Sequence, residues 1–164
     1  IMSCGSGEDG GIDSPRLDLL TAIDQGKTDI VRQHMQSGTD PNKGHVPVGI
    51  PLEGAYPLHL AVVKGDKEII QILLDNGAKL ELKAKNKDEA TPLSWAAFFG
   101  NKDMVELLVE FGASINAIDA NNLTPLDAAY FAWALSESDE EKENWRKIMG
   151  IIKDNGGVSA WEIK

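Results

Sequence analysis

Apolar and polar side chains alternate along this chain with the spacing of short amphipathic helices. In segments 69–74 and 104–109, apolar residues fall at positions i, i+3 and i+4, so each segment would present one apolar face as a helix. A glycine stands four residues before each segment and another stands three residues after it. Glycine suits sharp reversals and helix ends, so the pattern predicts pairs of short helices.

An internal repeat strengthens the prediction of helix pairs. The segment Tyr56-Pro57-Leu58-His59-Leu60-Ala61 recurs as Thr91-Pro92-Leu93-Ser94-Trp95-Ala96 and as Thr124-Pro125-Leu126-Asp127-Ala128-Ala129, with the prolines 35 and then 33 residues apart. Threonine is suited to cap a helix, and proline is tolerated in the first helical turn, where its missing N–H would have no partner. Each copy therefore predicts the start of an αα-hairpin.

These starts, together with the ends Gly77-Ala78 and Gly112-Ala113, resemble ankyrin repeats, and the resemblance covers nearly the whole chain. It implies an all-α fold: an ankyrin-repeat solenoid of about four helix-turn-helix units, the last with a lengthened hairpin. We expect helices near residues 15–25, 28–37, 57–64, 67–76, 92–99, 102–111, 125–137 and 141–155.

The domain boundaries follow from the same alignment. Residues 1–13 are expected to form a leader, residues 14–157 the repeat domain, and residues 158–164 a C-terminal tail. The first and last units depart from the pattern, as expected of caps that face water on one side. The four units are predicted at residues 14–50, 51–85, 86–118 and 119–157.

The charge balance narrows the class of partner. Asp and Glu number 26 against 16 Lys and Arg, a net charge of −10, and basic residues never cluster beyond a pair. Nucleic acid and anionic membranes are therefore excluded as expected partners, and a protein with a basic or mixed surface is favoured. No apolar run approaches the roughly 20 residues that cross a bilayer.

The titratable and nucleophilic residues predict no enzyme, cofactor or metal site. His34, His45 and His59 lack the i+4 partner that would place two metal ligands on one helix face. No carboxylate accompanies a nucleophile or base at a recognisable spacing. His59 is instead expected to hydrogen-bond neighbouring backbone. An enzyme that uses the long loop 39–55 as a lid is a minor alternative.

The N-terminal segment offers two interpretations. Ile1-Met2-Ser3-Cys4 resembles the cleavage region of bacterial lipoproteins, which would make Cys4 a lipid-attachment residue, place the protein in a bacterial cell envelope, and allow the repeats to act as a tethered structural spacer. The other interpretation is a cloning remnant or a disordered leader of a cytoplasmic protein.

The resemblance to ankyrin repeats implies a protein-binding module, here expected to be a monomer, whose partner contacts the concave face and the loop tips. Two alternatives stay open: Phe99 and Phe131 pack with Trp133 against the lengthened last hairpin, and the acidic run 139–143 either docks a basic partner or is merely solvated. The predicted partner-binding residues are Val63, Lys64, Lys87, Asp88, Phe98, Phe99, Asn121 and Phe131.

Overall fold

The computed structural model describes residues 15–163; Cys4 and the leader expected over residues 1–13 lie outside them, so lipid attachment stays a prediction. All regular secondary structure in the described part is helical, and none of its helices is long and apolar enough to span a membrane. The elements are α1 Leu19–Asp24, α2 Thr28–Gln36, α3 Pro57–Lys64, α4 Lys67–Asp75, α5 Pro92–Phe98, α6 Lys102–Glu110, α7 Pro125–Leu135 and α8 Asp139–Asp154, followed by a 3₁₀ helix, Ala160–Glu162.

The predicted capping residues begin the helices as expected. Thr91 accepts a hydrogen bond from the backbone N–H of Ser94, and Thr124 forms a reciprocal capping box with Asp127. Within the hairpins, Gly100 adopts a φ of +73°, in the left-handed region that favours glycine, and reverses the chain between α5 and α6. The repeat therefore encodes its own helix starts and reversals.

Two helices begin at other residues than predicted, because the polar residue that caps each of them lies at a different position from the predicted start. α1 begins at Leu19 rather than near residue 15, since the Asp18 carboxylate accepts a hydrogen bond from the N–H of Thr21 at 3.0 Å. α8 begins at Asp139 rather than near residue 141, since Ser138 caps it. Asp139, Glu140 and Glu141 of the acidic run form the first turn of α8, where negative charge complements the helix dipole.

The helix pairs stack so that the first helices pack in the order α1, α3, α5 and α7. Outside this row, α2 contacts α4 and α6 contacts α8. One continuous apolar core runs through the stack, and Leu73 and Leu108 from two successive second helices are fully buried in it. The core therefore joins the repeats into a single body.

The same hydrogen bond ties each repeat to the next. A side-chain oxygen in one connecting loop accepts a hydrogen bond from a backbone N–H of the following repeat. The donor lies two residues after the glycine that ends the second helix of that repeat. The pairs are Asn42 with Lys79 at 2.8 Å, Glu81 with Ser114 at 2.7 Å, and Asn116 with Val158 at 2.9 Å. The bond recurs at the same repeat position in all three junctions, so it links successive repeats in the same register.

The lengthened last hairpin closes over the third repeat. From α8, the Asn144 amide donates to the carbonyl of Gly100 at 2.7 Å and the Trp145 indole N–H donates to the carbonyl of Ala97 at 3.1 Å. Asn101 makes the equivalent bond one repeat earlier, to the carbonyl of Val62 at 3.2 Å. These side chains thus bind the backbone at the ends of α3 and α5 and join each second helix to the hairpin of the preceding repeat.

The segment expected as a tail folds back onto α7. The Thr124 hydroxyl donates to the carbonyl of Val158 at 2.8 Å, and the Asp127 carboxylate accepts the N–H of Ala160 at 2.9 Å. The 3₁₀ helix then leaves Trp161 83% exposed. Residues 158–163 are thus anchored by the capping box of the last repeat.

Candidate functional site

The loops between successive repeats form a row of linked tips. A backbone hydrogen bond closes each tip at its base, as in the loop where the N–H of Ala84 donates to the carbonyl of Ala90 at 2.9 Å. Neighbouring tips are joined by backbone bonds: Lys85 donates to Gly54 at 2.8 Å, and Ala120 donates to Asp88 at 2.8 Å. Because backbone atoms hold one tip to the next, the row forms a continuous wall beside the first helices.

A groove of about 590 Å³ lies between this wall and helices α5 and α7, and we call it the tip groove. Its base is apolar and its upper edge is polar, which is the arrangement of an interface with an apolar centre and a polar rim. The lining residues are Leu52, Glu53, Asn86, Lys87, Asp88, Ala90, Ser94, Trp95, Phe98, Phe99, Asp119, Asn121, Leu123, Ala128 and Phe131.

Aromatic side chains form a connected series along the base of the tip groove. Trp95 meets Phe99 edge-on at 5.8 Å between ring centroids, and Phe99 meets Phe98 edge-on at 5.3 Å. Phe98 then stacks on Phe131 of the next repeat at 6.4 Å with an interplanar angle of 21°. Phe98, Phe99 and Phe131 remain 37%, 46% and 52% exposed, so their ring surfaces are open to a ligand.

The rim carries more negative than positive charge. Glu53, Asp88 and Asp119 contribute three carboxylates, and Lys87 contributes one ammonium group. The Asn121 amide donates to Asp88 at 2.9 Å, a bond that joins two tips and leaves the second carboxylate oxygen of Asp88 available. The rim therefore favours a cationic ligand group over an anionic one.

Most of the predicted partner-binding residues lie together in the tip groove. Lys87, Asp88, Phe98, Phe99, Asn121 and Phe131 all line it. Val63 and Lys64 do not: Val63 is half-buried against an apolar cluster around Ala55, and Lys64 forms an ion pair with Asp24 at 2.7 Å. The structure thus gathers six of the eight residues and places the other two on the neighbouring repeat.

Trp133 belongs to a different cluster from the groove aromatics. Its ring pairs with Tyr130 at 5.4 Å, and the Lys142 ammonium group lies 5.8 Å from its centroid. The ring partners of Phe98 are instead Phe99 and Phe131. The packing alternative with Trp133 therefore has no ring contact to support it among the described residues.

Sequence reasoning missed several residues that build the tip groove. Trp95 and Ala128 form its base, and Leu123 and Asn86 contribute to its sides. Helical spacing carries a usable signal, because Trp95 and Ala128 lie three residues before Phe98 and Phe131 and therefore on the same helix face. The loop residues have no such signal, since their positions depend on the neighbouring tips.

His59 has the structural role that was expected of it. Its side chain is fully buried, and its Nε2 donates to the carbonyl of Ala90 at 3.0 Å, while Nδ1 has no partner. Burial lowers the pKa of His59 from 6.5 to about 4 and outweighs the opposite effect of the bond to Ala90. His59 therefore stays neutral near pH 7 and links α3 to the loop of the next repeat.

Within residues 15–163, no group of three or more His, Cys, Asp or Glu side chains lies close enough together to hold a metal ion. The hydroxyl-bearing residue of the groove base, Ser94, accepts a bond from the Thr91 hydroxyl at 3.3 Å as part of the α5 cap. Ser94 therefore belongs to the cap of α5.

Comparison with known proteins agrees with this architecture. A family model described as ankyrin repeats in three copies matches residues 19–119, more than half of the chain. The ankyrin repeat-containing protein P1E11.10 of Schizosaccharomyces pombe is 33% identical over 65 residues, a match that covers 40% of this chain and 28% of that protein. Ankyrin repeats are generally protein–protein interaction modules and are typically non-enzymatic. With its repeated capped hairpins and the matching family model, the chain belongs to the ankyrin-repeat family.

Proposed function

We propose that this protein is a non-catalytic interaction module that binds a partner protein in the tip groove. The observation that carries the proposal is the exposed aromatic series Phe98, Phe99 and Phe131 beside a polar rim on a rigid backbone. Aromatic side chains at the centre of a patch and polar residues around it are characteristic of interfaces. Because backbone bonds hold the tips together, little conformational entropy is lost when a partner binds.

The proposal assigns the partner to the concave side rather than to the outer helices. The outer surface is dominated by exposed ion pairs that join neighbouring repeats, such as Arg32 with Glu68 at 2.8 Å and Lys67 with Asp103 at 3.6 Å. Exposed pairs of this kind keep a surface hydrated and contribute little to binding. The tip groove instead presents the exposed rings of Phe98, Phe99 and Phe131.

Site-specific photocrosslinking in the cell that makes the protein tests this assignment. A benzophenone-bearing phenylalanine analogue is placed at Phe98, in the groove, or at Lys67, on the outer surface. We expect a reproducible protein adduct from position 98 and none from position 67, and the Asp88→Asn change should weaken the adduct. Adducts that form only from position 67 would place the working surface on the outer helices and refute the proposal.

A further inference from the structure

The base of the tip groove changes abruptly in side-chain size between the third and fourth repeats. Trp95 and Ala128 occupy the same repeat position, four residues after the capping residues Thr91 and Thr124. Both line the groove. Ala128 is 9% exposed and carries only a methyl group, so the groove is lined at this point by a small side chain in α7 and by an indole in α5.

The groove beside Ala128 is lined by apolar side chains. Trp95 bounds it on the side of α5, Phe131 stands one helical turn after Ala128, and Leu123 lies in the adjoining loop. A water molecule there would find few hydrogen-bond partners, whereas an apolar group would gain dispersion contacts on several sides. This part of the groove therefore fits an apolar side chain of aromatic or large aliphatic size.

The charges of the rim indicate which ligand residues would lie next to this apolar side chain. Glu53 and Asp88 stand on neighbouring tips, and Asp88 keeps one carboxylate oxygen free of the bond to Asn121. Lys87 is the opposing charge on this edge. An acidic segment would meet three carboxylates, including Asp119, so a segment with Lys or Arg close to the apolar anchor is favoured.

We infer that the tip groove recognises an exposed peptide segment of a partner protein in which one large apolar side chain is flanked by basic residues. The apolar side chain enters the space above Ala128, and the basic groups pair with Asp88 and Glu53. This inference rests on the proposed function and adds the chemical class of the partner to it.

Selection from a library of displayed dodecapeptides tests the inference directly on the full chain. The matched variants are Ala128→Trp, which restores at α7 the indole found in α5, and Ala134→Trp, the same change at an exposed alanine of the same helix. We expect the selected peptides to carry an aromatic or large aliphatic residue with Lys or Arg within a few positions. The strongest peptide, made synthetically, should bind Ala128→Trp at least tenfold more weakly and Ala134→Trp unchanged.

A second pair of variants covers the case in which Ala128→Trp does not fold, which circular dichroism would reveal. Phe131→Ala removes a half-exposed wall of the pocket and should weaken the peptide at least tenfold. Asp88→Asn removes one rim charge, keeps the shape, and should weaken it about threefold at low salt and less at high salt.

Several outcomes would overturn the inference: no enrichment over an unrelated protein, enrichment of acidic peptides, or equal binding to Ala128→Trp and the unchanged chain. Self-association that blocks the groove, seen by analytical ultracentrifugation, would make a second copy of the chain the occupant instead. If the peptide selection fails but photocrosslinking gives adducts from position 98, the groove remains the binding site and only the inferred class of partner is refuted. Adducts only from position 67 would refute the site itself.

Discussion

Phe98 and Phe131, which occupy equivalent positions in consecutive repeats, stack with their ring centroids 6.4 Å apart and remain 37% and 52% exposed. Truncating either ring should therefore lower stability little, while the pair should show a coupling of about 0.5–1 kcal/mol beyond the separate effects. Urea unfolding of Phe98→Ala, Phe131→Ala and the double variant measures this coupling. Strict additivity would mean that the rings do not interact in solution.

The buried leucines of the second helices should dominate stability. Leu73 and Leu108 are fully buried in the continuous core, so replacing either with alanine should lower the free energy of unfolding by about 2–5 kcal/mol. Leu135, which is 63% exposed, is the matched control and should change stability by less than about 0.5 kcal/mol. Losses below about 1 kcal/mol for both buried leucines would contradict the packing described here.

The contact between neighbouring tips should be sensitive to a single methyl group. Gly54 has a φ of +79°, and an added Cβ would lie 2.5 Å from the carbonyl carbon of Lys85, a backbone atom. Gly49 has a similar φ of +82° but no atom within 4 Å of such a Cβ. In both alanine variants the strain of the left-handed backbone should lower the free energy of unfolding by about 1 kcal/mol. In Gly54→Ala the clash should lower it by at least a further 1–2 kcal/mol. Equal losses in chemical denaturation would show that the tips move apart without penalty.

Replacing Gly157 with alanine should destabilise the protein, although the inner repeats carry alanine at this position. Its repeat position holds alanine in Ala78 and Ala113, yet a Cβ here would clash with the Ile152 side chain and lie 2.7 Å from the Ile152 carbonyl oxygen. We expect Gly157→Ala to lower the melting temperature, with a loss of about 1–3 kcal/mol.

The control for Gly157 is Gly150→Ala within α8, where no atom lies within 4 Å of the new methyl group. That variant should gain about 0.5–1 kcal/mol, because alanine favours helix over glycine. A gain in both variants would mean that the last repeat closes in the same way as the inner ones.

The burial of His59 predicts a fall in stability toward acidic pH. Its pKa is about 4 in the folded state against 6.5 as the ordinary value, so between these pH values the unfolded chain binds a proton that the folded chain does not. The stabilisation is complete above pH 6.5 and is lost as the pH falls toward 4, by roughly 3 kcal/mol in total. Urea unfolding from pH 7 to pH 4.5 should show this slope, and His59→Gln should flatten it. Identical slopes in the two proteins would rule out His59 as the cause.

The local pattern of the chain was sufficient to predict the helix pairs. Capping residues such as Thr91 and Thr124, prolines in the first turn and left-handed glycines at the reversals act over three or four residues, so a repeated spacing predicts a repeated hairpin. The ends of the chain were predicted less well. Asp18 and Ser138 cap α1 and α8 outside the repeat register, and the repeat alignment carries no information about them.

The sequence predicted part of the groove lining, because Phe98, Phe99 and Phe131 were among the candidate partner-binding residues. Phe98, Phe99 and Phe131 line the groove, whereas Val63 is half-buried against a cluster that includes Ala55 of its own repeat and Trp95 of the next. Whether such a side chain stays open depends on which residues pack against it from other repeats. The sequence position alone does not contain that information.

Only the tertiary structure decided the shape of the tip groove. Trp95 of one repeat, Leu123 of a loop and Phe131 of the next helix line it together with the small residue Ala128. Backbone bonds between tips, such as Lys85 with Gly54 at 2.8 Å, then hold the wall in place. Helix starts arise from interactions within a few residues, whereas a groove arises from atoms that are a whole repeat apart and meet only when the repeats stack.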